Sequence, residues 1–271
     1  AHIFVKSLLG VWSYQSQLIP TTETLIVNDY YGYSVDISSD GNTAIIGSYA
    51  EDTNGSDSGT VFIFTRSGTT WTQEAEIQSS LPSAESANDN FGYDVSISND
   101  GNTAAIGALR AGTISNPSLN FDYGQVFIYT RSGTTWTFQA RFQSSDIAAN
   151  DQFGTRLDLS GDGDTLIAGT SYDDDTATDS GAAYVFTRSG TTWSQEAKLV
   201  SGDPAANDYF SESVALSDDG DTAFIGATGD TSLTGAGYIF TRSGTTWTQQ
   251  AKVEASDKAT GDKLGSSVAL S

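Results

Sequence analysis

The sequence has no cysteine, and this absence excludes disulfide bonds, thiol nucleophiles and thiolate metal sites. It has a single histidine, His2, and it contains neither a Gly-x-Ser-x-Gly motif nor a phosphate-binding loop. The usual catalytic groups of nucleophilic and nucleotide-dependent enzymes are therefore missing. We expect a protein that is not an enzyme.

Positive charge is also scarce, since 12 Lys and Arg residues stand against 34 Asp and Glu, for a formal net charge of −22. Such a surface repels nucleic acids and anionic lipids. No apolar run approaches the roughly 20 residues that cross a bilayer, so we expect neither nucleic-acid binding nor direct membrane insertion. The cysteine-free composition fits a secreted bacterial-type protein and is also compatible with a cytosolic one. Of the two, we expect an extracellular or cell-surface location.

What the sequence does contain is a repeat. The heptapeptide Thr-Arg-Ser-Gly-Thr-Thr-Trp occurs at Thr65–Trp71, Thr130–Trp136, Thr187–Trp193 and Thr241–Trp247. Two further markers, Asn-Asp-x-aromatic-Gly and Asp-Gly, recur in step with it. Self-similarity of this kind predicts tandem copies of one structural unit.

Each unit is predicted to form four short strands. In the first complete unit, Tyr33–Ser38 alternates apolar and polar residues, Thr43–Gly47 is almost entirely apolar, and Val61–Thr65 is apolar on both faces. The fourth strand begins at Trp71 and alternates again, as a strand with one solvent-facing side does. An Asp-Gly pair between the first two strands predicts a tight antiparallel hairpin.

These features predict an all-β fold, namely a β-propeller of four-stranded antiparallel blades with four complete repeats and a partial or composite fifth. A β-solenoid is the alternative, but the Asp-Gly hairpins favour antiparallel pairing. We predict a single β-propeller domain over residues 1–271, with complete repeats at 30–89, 90–151, 152–208 and 209–263, and partial blades at 1–29 and 264–271.

The two partial blades leave two interpretations open. The first is a five-bladed ring whose last blade is built from both chain ends but has three strands of four. The second is a unit whose incomplete ends pair with further sequence or with another subunit, because an unpaired strand edge is a template for strand addition.

The run from Phe-Gly through Asp-Gly to Ile-Gly-Ala, as at Ile106–Ala108 and Ile225–Ala227, resembles the FG-GAP repeat. That repeat builds the β-propeller of integrin α-subunits, and the Phe-Thr-Arg-Ser-Gly-Thr-Thr-Trp segment is more similar to its bacterial subfamily. The resemblance covers essentially the whole chain. It implies the fold, whereas adhesion, scaffolding, glycan binding and catalysis are all known on it.

Integrin-type blades carry calcium loops, and the best candidate metal ligands here are the oxygens of Asp158, Ser160, Asp162 and Asp164. An acidic residue expected about three positions after the Gly is missing, and a plain Asp-Gly hairpin explains the same residues. Calcium is therefore the one candidate cofactor, and no cofactor is required by the sequence.

Two other features stand out from the repeat. The second unit has a long insert, Leu109–Tyr123, whose candidate recognition residues are Arg110, Asn120, Phe121 and Tyr123. A sequon, Asn54-Gly55-Ser56, makes Asn54 a candidate glycosylation site.

Taken together, the sequence favours a non-catalytic extracellular structural or adhesive module that forms a fibre or surface assembly through its incomplete terminal blades. Self-association, or binding to other surface proteins or glycans, is the expected partnership. A glycan-binding, lectin-like propeller is the alternative, and a propeller hydrolase or lyase is a weaker one.

Overall fold

The computed structural model describes residues 1–22, 26, 28–81, 86–118 and 121–270. The strands of this part form five antiparallel sheets, and each is a meander in chain order. The N-terminal sheet has two strands, β1 (His2–Lys6) and β2 (Trp12–Gln17). The all-β, propeller-type fold predicted from the repeat is confirmed.

Four complete blades follow, each with four strands. The first consists of β3 (Val35–Ile37), β4 (Thr43–Ser48), β5 (Thr60–Ser67) and β6 (Thr70–Gln78). The second consists of β7 (Phe91–Ile97), β8 (Thr103–Ala108), β9 (Gln125–Ser132) and β10 (Thr135–Phe142). The third consists of β11 (Arg156–Leu159), β12 (Thr165–Thr170), β13 (Ala182–Ser189) and β14 (Thr192–Leu199). The fourth consists of β15 (Phe210–Leu216), β16 (Thr222–Ala227), β17 (Ala236–Ser243) and β18 (Thr246–Val253), with a single turn, α1 (Asp230–Leu233), between β16 and β17.

The first strand of the first blade is shorter than its pattern predicts, since regular pairing covers Val35–Ile37 rather than Tyr33–Ser38. The glycine of the Phe-Gly motif interrupts the ladder, because Gly32 has a φ of +83° and Gly92 a φ of +87°. In the second blade the register accordingly shifts between Phe91 and Val95. Regular pairing therefore starts only after this left-handed residue.

The repeated heptapeptide is the hairpin between the third and fourth strands, and it also joins neighbouring blades. The Arg131 guanidinium lies 5.5 Å from the ring centre of Trp136. The Trp136 indole N–H donates to Glu74 of the preceding blade at 3.0 Å. The other tryptophans repeat this contact: Trp71 with Gln15, Trp193 with Gln139, and Trp247 with Glu196. The heptapeptide is repeated because each blade contacts the preceding blade through its tryptophan in the same way.

The hydrophobic core lies between neighbouring blades rather than inside any one sheet. Ile45 of β4 and Ile63 of β5 share a buried cluster with Phe91, Val95 and Ile97 of β7. All six residues of β4 are buried, as are those of β8 and β12, so the second strands of the first three complete blades are covered on both faces. In β16, Thr222 and Phe224 are half-buried. A complete interface therefore needs the first strand of one blade and the second strand of the blade before it.

The first strands surround a central channel with a volume of about 430 Å³. Five segments line it: Val35–Asp36, Asp94–Ser96, Arg156–Asp158, Ser213–Ala215 and Ser266–Leu270. The fifth segment comes from the C-terminal partial blade. The described residues thus contribute five sectors around one axis.

Candidate functional site

The two partial blades lie in the fifth sector of the ring. β1 and β2 take the place of a third and a fourth strand beside the first complete blade, because Trp71 donates to Gln15 of β2 at 2.9 Å. Trp136 makes the equivalent contact with Glu74 at 3.0 Å. Leu18, which follows β2 and is 2% exposed, packs in a buried cluster with Ile46 and Phe62 of the first complete blade.

Residues 264–270 take the place of a first strand on the other side of this sector. The Gly265 carbonyl accepts the Ser213 hydroxyl at 2.6 Å, just as the Gly92 carbonyl accepts the Ser34 hydroxyl at 2.9 Å. Among the residues that the structure describes, none forms a second strand between this segment and β1. We call this incomplete fifth blade the open blade.

The open blade leaves an apolar surface uncovered. Val35 and Ile37 of β3 are 59% and 45% exposed, whereas Val95 and Ile97 at the equivalent positions of β7 are 5% and 6% exposed. Val95 and Ile97 pack in a cluster with Ile45 of the preceding second strand. The same Val and Ile pair is therefore buried in one blade and exposed in another.

A groove of about 490 Å³ runs along this surface. β1, Leu18, β3 and the first half of β4 line it. Phe4 of β1 is 56% exposed, and β1 pairs only with β2, so its other edge has free backbone groups as far as the described residues go. The groove thus combines apolar side chains with an unpaired strand edge.

The predicted metal ligands do not share one coordination sphere. The Asp158 carboxylate accepts the Leu216 backbone N–H of the next blade at 2.7 Å, and Ser160 donates to Asp162 within the hairpin at 2.6 Å. The Asp164 carboxylate forms an ion pair with the Arg188 guanidinium at 2.7 Å, so its oxygen is already bonded to an arginine. Within the described ranges, no group of three or more Asp, Glu, His or Cys residues could hold a metal. Calcium binding stays a prediction.

The residues of the predicted recognition loop do not all line one cavity. Arg110 lines a cavity of about 360 Å³ together with Tyr93 of its own blade and Tyr30 and Tyr49 of the preceding unit. Phe121 is 55% exposed, but neither it nor Tyr123 lines that cavity. Asn120 lies outside the described residues. A single site formed by all four residues therefore has support only at Arg110.

The candidate glycosylation site, Asn54, is half-buried. Its amide nitrogen donates to the Leu81 carbonyl at 3.2 Å and to the Ser86 hydroxyl at 3.0 Å. A glycan on this nitrogen would have to displace both contacts. Modification of Asn54 remains a prediction.

Three channel carboxylates link consecutive blades. Asp36 accepts the Ile97 N–H at 2.8 Å, Asp94 accepts that of Leu157 at 2.8 Å, and Asp158 accepts that of Leu216 at 2.7 Å. Burial raises the pKa of Asp94 to about 6, although Arg156 opposes this, and burial raises the pKa of Asp158 to about 7. Their partners are backbone groups of neighbouring strands, so these acids connect the blades.

Sequence reasoning missed a group of tyrosines around one mouth of the channel. We call Tyr30, Tyr33, Tyr49, Tyr93 and Tyr172 the aromatic face. Tyr30 stacks on Tyr49 with ring centres 4.8 Å apart and an interplanar angle of 15°. The Tyr33 and Tyr93 hydroxyls are 3.0 Å apart and hydrogen-bonded. The available signal was the departure from the repeat, because Tyr33 and Tyr93 correspond to Thr and Glu in later units.

A sequence model described as the FG-GAP repeat matches residues 12–64, 71–129, 136–186, 193–240 and 247–271. The chain belongs to the FG-GAP repeat family. Every matched segment begins at a tryptophan, and the first four run from the fourth strand of one blade into the third strand of the next.

Among solved structures, the chain is similar to the crystal structure of a putative 6-phosphogluconolactonase from Bacteroides fragilis. The TM-score is 0.57 at 12% identity, over 98% of this chain and 66% of that one, so this chain spans just under two thirds of its length. At this identity the likeness shows the fold alone. In the part of the FG-GAP chain that the structure describes, no helix has the length and hydrophobicity to cross a membrane.

Proposed function

We propose that this FG-GAP protein is a non-catalytic extracellular structural or adhesive module that joins another polypeptide by β-strand addition at the open blade. The observation that carries this proposal is the exposure of Val35 and Ile37, whose equivalents Val95 and Ile97 are buried. Exposed apolar patches beside an unpaired strand edge are typical of protein interaction sites.

The other blades indicate what would fit there. Each complete interface is filled by a second strand, and in β4 that strand reads Thr-Ala-Ile-Ile-Gly-Ser. Its Ile45 packs in the cluster that contains Val95 and Ile97, which are the same residue types as Val35 and Ile37. A strand with a threonine, an apolar run and a glycine therefore has the chemistry that the groove accepts.

The net negative charge of the protein favours a specific interaction at one surface over unspecific association of copies. The net charge of −22 keeps copies of the chain apart in solution. Backbone hydrogen bonds to the edge of β1 do not depend on that charge, and apolar contacts to Val35 and Ile37 would supply most of the favourable free energy. Association is then expected to be localised at the open blade.

The test is to add a peptide copy of Ser39–Ser48 and measure binding by calorimetry, with light scattering and negative-stain imaging of the protein alone. We expect one peptide per chain, and we expect an Ile45→Asp peptide to bind at least tenfold more weakly. Changing Val35 and Ile37 to lysine should abolish binding, whereas changing the fully exposed Leu8 to lysine should not. The proposal would be contradicted if the protein is monomeric and shows no binding of the peptide.

A further inference from the structure

The aromatic face surrounds a cavity formed where different blades meet. The cavity of about 360 Å³ is lined by Tyr30, Tyr49, Tyr93, Asn90 and Gln152, besides Arg110. This volume is within the range of roughly 300–1,000 Å³ that small-molecule sites occupy. A smaller cavity of about 80 Å³ adjoins it and shares Tyr93 and Gln152.

Large aromatic surfaces remain accessible there. Tyr30, Tyr33 and Tyr172 are 52%, 49% and 40% exposed. Because Tyr30 stacks on Tyr49 and Tyr33 packs edge-on against Tyr49 at 4.8 Å, the rings are held in fixed orientations. A preorganised aromatic surface loses little side-chain freedom when a ligand binds.

The backbone of this face is left-handed at one position that recurs in every unit, including Lys263 with a φ of 53°. Tyr30, Asn90, Gln152 and Tyr209 occupy the same position of successive units, and their φ angles are 53°, 56°, 56° and 51°. Asparagine or glycine adopts this left-handed conformation at little cost, whereas tyrosine does so at a higher one. Because every unit adopts this conformation, it belongs to the fold, and asparagine should be tolerated at the position of Tyr30.

Polar groups stand beside the rings. Asn90 lines the cavity although it is 5% exposed, and its amide nitrogen donates to the Tyr49 and Asp57 carbonyls at 3.2 and 3.3 Å, so its oxygen is the atom that a ligand hydroxyl would have to reach. The Gln152 amide has no side-chain hydrogen bond to any other residue in the described part of the chain. Donors and acceptors are therefore present next to an apolar surface.

Charge selects among ligands. Arg156 is engaged, since its Nε donates to the Glu212 carbonyl at 2.9 Å and its Nη1 to the Thr155 carbonyl at 2.7 Å. Each cavity is lined by one acidic and one basic side chain, Asp57 with Arg110 in the larger and Glu212 with Arg156 in the smaller. Because these charges offset one another, neither cavity has the excess of one sign that would favour an ionic ligand over a neutral one. Tyr30 and Tyr49 leave no space between their stacked rings, so they do not form an aromatic cage for a cation.

We propose that the aromatic face binds a neutral saccharide, with a sugar ring packed on Tyr30 and its hydroxyls bonded to Asn90 and Gln152. A sugar ring offers a C–H surface and a rim of hydroxyl groups, and these match an aromatic plane with amide groups beside it. This site differs from the open blade, and it does not depend on strand addition.

The experiment screens the protein against neutral oligosaccharides of glucose, galactose, mannose and N-acetylglucosamine, with sulfated glycans and proline-rich peptides alongside. We expect at least one neutral oligosaccharide to bind, as measured by saturation-transfer NMR and by titration. Tyr30→Asn should weaken it at least tenfold without lowering Tm, because asparagine suits the left-handed backbone. Phe138→Ala, at an exposed aromatic residue on β10, is the matched control and should leave the affinity unchanged.

Three results would overturn the proposal: no binding to any neutral saccharide, binding only to sulfated glycans or proline-rich peptides, or binding that Tyr30→Asn leaves intact. If Tyr30→Asn lowers both affinity and Tm, Gln152→Ala decides, since it removes an amide that makes no side-chain bond to another described residue. Full affinity in Gln152→Ala would then also overturn the proposal.

Discussion

The strands β3 and β7 have the same apolar pattern, but the apolar side chains of β7 are buried and those of β3 are exposed to solvent. Val95 and Ile97 are 5% and 6% exposed beside the preceding second strand, while Val35 and Ile37, which face the open blade, are 59% and 45% exposed. Residue type is the same, so the difference arises from the neighbouring strand. In this propeller, burial is a property of the interface between blades, and one interface is incomplete among the residues that the structure describes.

The largest expected effect distinguishes the complete interface from the open one. Ile97→Ala removes a buried side chain of a packed cluster and should cost about 2–5 kcal/mol in the free energy of unfolding. Ile37→Ala removes a half-exposed side chain and should cost under about 0.5 kcal/mol. Urea denaturation of the two variants measures both values, and equal costs would contradict the comparison.

Completing the open blade should abolish the difference. A copy of Ser39–Ser48 fused to the C-terminus would lie beside β1 and cover Val35 and Ile37. Burial of these side chains should raise the free energy of unfolding by about 2–3 kcal/mol. Fusion of the same segment with Ile45→Asp is the matched control, and it should give little stabilisation.

The channel acids should make stability depend on pH. The pKa of Asp158 is about 7 in the folded protein, above its value in an unfolded chain. The folded state therefore binds more protons between about pH 4 and pH 7, so stability should rise as pH falls from 8 towards 5.

Asp158→Asn should remove part of this slope, by about 1–2 kcal/mol between pH 8 and pH 5. Asparagine still offers an oxygen to the Leu216 N–H, which keeps the contact between blades. Thermal unfolding at several pH values tests this expectation, and an unchanged slope in the variant would show that other groups produce it.

The tryptophans should show the same contrast on a smaller scale. Trp136→Phe removes a hydrogen bond to Glu74 and weakens the contact with Arg131, and it should cost about 1 kcal/mol. Trp12, which is 64% exposed at the open blade, should tolerate Phe at under about 0.5 kcal/mol. Thermal melts of the two variants provide the comparison, and a more sensitive Trp12 would contradict it.

The fold could be predicted because the same strand patterns and turn motifs recur in every unit of the sequence. The Asp-Gly hairpins, the strands buried on both faces and the heptapeptide hairpin recur where the sequence pattern places them. The ladder start at Val35 was predicted too early, since the left-handed backbone of Gly32 cannot be seen in an apolar–polar alternation.

The candidate sites were harder to predict because they form between blades. Nothing in the sequence near Val35 distinguishes it from Val95, and the exposure of Val35 follows from ring geometry. Tyr30 and Tyr93 come together only when two units meet at the axis. The Asp158–Asp164 pattern pointed to one metal loop, but the carboxylate of Asp158 is directed to the adjoining blades.

The most direct test of the open blade is hydrogen–deuterium exchange with and without the Ser39–Ser48 peptide. The account predicts slower amide exchange in β1 and β3 when the peptide is present, no change in β7, and no protection by the Ile45→Asp peptide. Unchanged exchange in β1 and β3 at saturating peptide would contradict strand addition at the open blade.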